Sequence, residues 1–145
     1  MRPGLFAFAA AAAFFGAALY INIVEQPARL TLDVRSMVRE WTASDRRSFI
    51  MLSALSIISA ILAQAEYART GDMLWSIGGV VILMSLPYAY FVMVPVNIWL
   101  YATVLDAAGS PIRKLMRAWG LLEWGQTAIG LSACCVYAWA LLYPA

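Results

Sequence analysis

At 145 residues, 63% of them hydrophobic and only 12% charged, with a mean hydropathy of +0.76, the chain has too little polar surface to cover a water-soluble globule of its size. Its net charge of +2 is too small to point to nucleic acid, and the absence of histidine excludes histidine-ligated haem, histidine-based zinc or copper sites and histidine general-base catalysis. The chain belongs in a bilayer.

A hydrocarbon core about 30 Å thick requires roughly 20 apolar residues per helical span. Residues 5–24, 48–65, 76–100 and 119–142 meet that requirement. These runs are long, rich in alanine and leucine, and lack the alternation of a barrel strand, so the expectation is an all-α, four-helix transmembrane bundle forming one domain. Arg2 ahead of "FAAAAAFFGAA" resembles a secretory signal, but the apolar run is longer than a signal core and is read as the first span.

Between spans one and two, "LTLDVRSMVREW" places Leu30, Val34, Met37, Val38 and Trp41 on one helical face and Asp33, Arg35, Ser36, Arg39 and Glu40 on the other. That pattern predicts an amphipathic surface helix over about 29–41, covering the inner mouth of the bundle or gating it. The connections 25–47 and 101–118 hold eight of the ten arginines and lysines, with only Arg2 and Arg69 on the other side. The positive-inside rule then puts both connections in the cytoplasm and both termini outside, the periplasmic side of a bacterial inner membrane. Contacts with anionic lipid explain the same charges.

Asn22, Glu25 and Arg29, spaced i, i+3, i+7, share a face at the cytoplasmic end of span one. Span three reaches that end with "YAYFVMVPVNIW", where Tyr90, Met93, Asn97 and Tyr101 form a stripe and Pro87 and Pro95 predict kinks that free the carbonyls of Leu83 and Phe91. Span four starts there with Trp119, Glu123, Gln126 and Thr127, and span two adds Ser53 and Ser56. Topology therefore brings Asn22, Glu25, Asn97, Glu123 and Gln126 to one depth. Ionisable groups in spans are costly and mark a functional site by default, although Glu25 and Glu123 paired with Arg29 and Arg117 would be structural. Tyr20, Tyr88, Tyr90 and Trp124 stand near this cluster and suit a flat aromatic or quinone-like ligand, whereas Trp75, Trp99, Trp119, Trp139 and Tyr143 read as interface anchors. The adjacent Cys134 and Cys135 read as packing residues, and Gly120, Gly125 and Gly130 as points of close helix approach. No phosphate loop, dinucleotide fingerprint or internal repeat is evident.

The order "GAALYINIVEQPARL", "REWTASDRRSF", "PYAYFVMVPVNIWL", "RAWGLLEWGQTAIGL" resembles the anthrone-oxygenase-like family of small four-span membrane proteins. Its most specific elements are Glu-x-Pro-Ala-Arg at Glu25 to Arg29 and Pro-x-Asn-x-x-Leu at Pro95 to Leu100. The resemblance implies oxidation of an anthrone to an anthraquinone by oxygen, with neither metal nor flavin, and roles for Glu25, Arg29 and Asn97. Span four departs from it, since the family often carries histidine and arginine near the positions of Glu123 and Gln126.

These observations lead to a site with Glu25 and Glu123 as catalytic carboxylates and Tyr20, Asn22, Arg29, Tyr90, Asn97, Trp124 and Gln126 as binding residues, with no metal or cofactor. A carboxylate would remove a proton from an acidic phenol or anthrone carbon while Asn97 and Gln126 bind the enolate oxygen. Two other classes compete: a non-catalytic accessory subunit of a larger membrane complex, and a transporter of a lipophilic molecule. Partners beyond lipid, whether other membrane proteins or further copies of the chain, are left open.

Overall fold

The computed structural model describes residues 2–104 and 110–143. Four helices cross the full height of the molecule: α1 (Pro3–Arg29), α2 (Val34–Thr70), α3 (Met73–Ala102) and α4 (Pro111–Leu142), each long and apolar enough to span a membrane. Among the described residues there is no strand. The helices run up and down in a square, each packed on the next and α4 closing against α1, so that α1 and α3 are diagonal. The links are short. Leu30 to Asp33 join α1 to α2, with Asp33 accepting from Ser36 N at 3.1 Å as the N-cap of α2, a bond to Ser36 that holds its carboxyl below the usual range. Gly71, in the left-handed conformation at φ 76°, ends α2, and Asp72 caps α3 by accepting from Leu74 N at 2.9 Å.

Residues 34–41 do not form a separate surface helix. They are the first turns of α2, which contains no glycine or proline to interrupt it over 37 residues. At 1.5 Å per residue such a helix is about 55 Å long and overshoots the hydrocarbon core at one end. The apolar face expected to lie on the membrane turns inward instead, and Met37, Val38 and Trp41 are buried in the core. The outer faces carry exposed Ile50, Ile61, Phe91, Ile98, Leu121 and Leu131, a lining suited to lipid.

Small residues bring the helices close. Ala7, Ala11 and Ala18 line the buried face of α1, and Ser59 Oγ donates to the Ala7 carbonyl at 2.9 Å. Gly120, Gly125 and Gly130 on α4 abut Gln26, Tyr88 and Phe14, where an added Cβ would collide. At the end away from the basic links, Glu66 is buried, accepts from Gly4 N at 3.0 Å and pairs with Arg69. Trp75 and Trp119 are core residues rather than interface anchors: Trp75 stacks on Tyr137 at 5.4 Å, while Trp99, Trp139 and Tyr143 stay exposed.

The two halves of the molecule repeat. α1 widens into a π turn at Ile21–Glu25 ahead of Pro27, and α3 does so at Ala89–Met93 ahead of Pro95. In both, an i→i+5 bond precedes the proline, from Gln26 N to Ile21 O and from Val94 N to Ala89 O. Proline has no N–H and its ring crowds the carbonyl four residues back, and the wider turn relieves both defects; ahead of Pro87 the helix is instead interrupted at Met84. On the partner helices Trp41, Asp45 and Ser48 of α2 match the spacing of Trp119, Glu123 and Gln126 of α4.

Candidate functional site

The π turns re-aim the side chains of the basic end. In α1 they place Asn22, Gln26 and Arg29 in the interior and Glu25 partly so. In α3 the buried line runs through Ser85, Ala89, Met93 and Leu100, and Tyr90 is rotated outward to 66% exposure against the edge of Phe91. The stripe expected to join Tyr90 with Met93 and Asn97 is therefore broken.

Arg29, 2% exposed, is the hub of one cluster. Its guanidinium pairs with Glu25 and Glu40, donates to Gln26 Oε1 at 2.9 Å, and lies 5.3 Å from the ring centre of Trp119. Gln26 Nε2 in turn donates to the Met116 carbonyl at 2.7 Å, and Ser44 donates to Glu25. Glu25 thus has the arginine partner that makes a carboxylate structural, although its Oε1 receives both donors and its Oε2 accepts no hydrogen bond from a described residue.

Glu123 differs. It is 5% exposed and forms no hydrogen bond or ion pair with a described residue; Arg117 is not its partner. It lines a cavity of about 40 Å³ together with Asp45, Asn97, Gln126, Ser85 and Ser48. Two carboxylates from diagonal helices thus face one small cavity, whose lining includes the exposed Phe49. The Ser85 hydroxyl and Gln126 Oε1 are buried there without partners among the described residues. Gln126 Nε2 donates to the Ser85 carbonyl at 3.2 Å. Asn97 bridges Asp45 and the indole layer: its Nδ2 donates to Asp45 Oδ2 at 3.1 Å and its Oδ1 accepts from Trp119 Nε1 at 2.9 Å. Trp41 meets Trp119 edge-on at 6.2 Å and Tyr101 at 4.9 Å, closing the cluster toward the basic links. The counterpart of Asn97 in α1 is Arg29, which offers no acceptor, and Trp41 Nε1 has no partner among the described residues.

Of the residues singled out in the sequence, Asn97, Glu123 and Gln126 share the cavity, and Glu25 and Arg29 share the adjoining ion cluster. Asn22 is buried in a separate contact, donating to Thr127 Oγ1 at 2.7 Å. Tyr20 and Trp124 are exposed on the rims of two outer grooves, and Tyr90 joins none of these sites. Sequence reasoning missed Asp45, Gln26, Glu40 and Ser85. Asp45 was read as part of a connection because Arg46 and Arg47 follow it. The spacing it shares with Glu123, four residues after a tryptophan, is the signal that would have found it. Gln26 lies four residues after Asn22 and three before Arg29, on the same helical face.

The fold and its polar interior define an integral membrane four-helix bundle with a small cavity lined by two carboxylates. The chain belongs to the anthrone oxygenase family, whose model matches residues 39–136. That match includes Trp41, Asp45, Asn97, Trp119, Glu123 and Gln126 and leaves the Glu25–Arg29 motif before it. No curated protein and no solved structure matches the chain.

Proposed function

We propose that the protein is an inner-membrane enzyme that oxidises a lipophilic anthrone-like phenol with molecular oxygen, using Glu123 as the base. The observation that carries this reading is a buried carboxylate that has no partner among the described residues and faces a cavity. A structural glutamate within a span would be paired, as Glu66 is with Arg69 at the opposite end and Glu25 is with Arg29. An unpaired one is held ready to take a proton from a carbon acid next to a ring carbonyl.

The Ser85 hydroxyl, which has no acceptor among the described residues, is placed in this scheme as a donor to the enolate oxygen. Asn97 acts one step back, holding Asp45 and Trp119. The carbanion gives an electron to oxygen, and the two radicals combine to a peroxide anion at the same carbon, which takes back the proton held by Glu123 to become the hydroperoxide. Loss of the second ring proton with cleavage of the O–O bond leaves a carbonyl and water. One oxygen atom thus enters the quinone and the other leaves as water, and the substrate loses both hydrogens of one methylene. The basic links lie in the cytoplasm in this scheme, so the chamber stands below the inner headgroups.

The test is oxidation of an anthrone in air by the protein in nanodiscs, followed by quinone absorbance and oxygen uptake in a one-to-one ratio. Glu123→Gln is expected to lower the rate about 10²–10⁴-fold at unchanged expression and thermal midpoint. A wild-type rate equal to that of empty nanodiscs, or a Glu123→Gln rate equal to wild type, would end the proposal.

A further inference from the structure

The chamber is too small for the molecule it is proposed to act on. About 40 Å³ admits oxygen, a few waters or the edge of a ring, whereas sites for drug-sized ligands occupy about 300–1,000 Å³. A second concavity of about 490 Å³ lies beside it, between α1 and α2 at the basic end, and the two share Ser48 as a common wall. Its apolar lining includes Ala17, Ile21 and Met51, and its rim residues Tyr20 and Met51 are exposed on the face of the bundle. Its polar side is Glu25, Glu40, Ser44, Arg47 and Ser48.

Resting on the anthrone reading above, we propose that this groove is the loading site, in which a flat hydroxyaromatic dissolved in the inner leaflet binds before its reactive edge passes Ser48 into the chamber. The hydrogen bonding of the groove specifies the occupant. The hydroxyl of Ser44 and the guanidinium of Arg29 both bond Glu25 Oε1, while Glu25 Oε2 accepts nothing from a described residue. A partly exposed carboxylate oxygen without a protein donor is costly against an acyl chain, which offers none. A phenolic hydroxyl offers one, and its ring covers the apolar lining. An acceptor-only group such as a quinone carbonyl or a lipid phosphate finds Arg47 in the lining but leaves Glu25 Oε2 without a donor. The groove thus selects the hydroxylated substrate over the bare ring system.

The experiment uses the full chain in phosphatidylcholine nanodiscs with two non-reacting probes, a dihydroxyanthraquinone and unsubstituted anthraquinone. The hydroxylated probe is expected to bind about tenfold or more tightly than the unsubstituted one, the range of a hydrogen bond to a charged group. Ala43→Trp fills the groove and is expected to abolish binding, whereas Ile61→Trp, on the lipid face of the same helix, leaves it intact. Should Ala43→Trp fail to fold, Glu25→Gln, with Arg29 still paired to Glu40, is expected to erase the preference between the two probes. Phosphatidylethanolamine added to the disc is expected not to compete; full competition would assign the groove to a lipid headgroup and overturn the proposal, as would equal affinity for both probes or unchanged binding by Ala43→Trp. Binding by the wild type without any anthrone oxidation would leave the groove standing and remove the reaction. Oxidation that Ala43→Trp leaves intact would do the reverse.

Discussion

Arg29 shows how the basic end tolerates buried charge. Its side chain is 1% exposed, against 21% for Glu25 and 38% for Glu40, so the two carboxylates keep some solvent or headgroup contact while the guanidinium has none. Removing one partner of a fully buried pair costs about 3–5 kcal/mol because the remaining charge is stranded. Partial exposure of both glutamates lowers that figure here, and Arg29→Gln is expected to destabilise the bundle by about 2–3 kcal/mol, measured by unfolding in mixed detergent. Arg29→Lys should recover little, since a point charge cannot bond Glu25, Gln26 and Glu40 at once. An unchanged midpoint in Arg29→Gln would mean that the cluster is not structural. Glu123 presents the opposite case: a carboxylate without partners among the described residues, whose replacement by glutamine is expected to affect rate and not stability.

At the scale of the helix, the informative elements are those that break regularity. Both π turns precede a proline and insert one extra residue per turn, which shifts the inward stripe and takes Tyr90 out of the interior. Close packing depends on glycine where α4 passes α3: the Tyr88 ring lies on Gly125, and its hydroxyl donates to the Leu122 carbonyl at 2.7 Å. Gly125→Ala drives a methyl group into that ring and is expected to cost about 1–3 kcal/mol. Combined with Tyr88→Leu it should cost less than the sum of the two single changes, which a double-mutant cycle measures. Strict additivity would show that the ring does not hold α4 at that distance.

For the molecule as a whole, four spans and eight basic residues gathered at one end define an orientation that labelling can check. With Cys134 and Cys135 replaced by alanine, Thr31→Cys is expected to react with an impermeant maleimide only in inverted vesicles, and Thr70→Cys only in right-side-out ones. The reverse pattern would place the chamber at the outer leaflet and remove its access to substrates made in the cytoplasm. Around the chamber the bundle combines two similar halves with different polar groups. Arg29 and Asn97 occupy matching places after their prolines, and Asp45 and Glu123 after their tryptophans. The asymmetry leaves Asp45 hydrogen-bonded and Glu123 without a hydrogen bond among the described residues.

The linear chain was sufficient for everything that depends on average solvent and on helical period. Hydropathy over 20-residue windows requires four spans, charge distribution between them marks one end as basic, and i, i+4 spacing pairs Glu25 with Arg29. The family, too, was legible in the order of its motifs. Only the tertiary structure decided which carboxylate is paired. A salt bridge is a matter of a few ångströms between helices, and Arg29 reaches Glu25 and Glu40 but not Glu123. It also decided that Val34–Thr70 is one helix, because burial of Met37 and Trp41 against neighbouring helices outweighs the amphipathic pattern that alone suggests a membrane surface. Asp45 entered the site for the same reason: a continuous α2 carries it to the cavity wall, a position that no local pattern around Arg46 and Arg47 specifies.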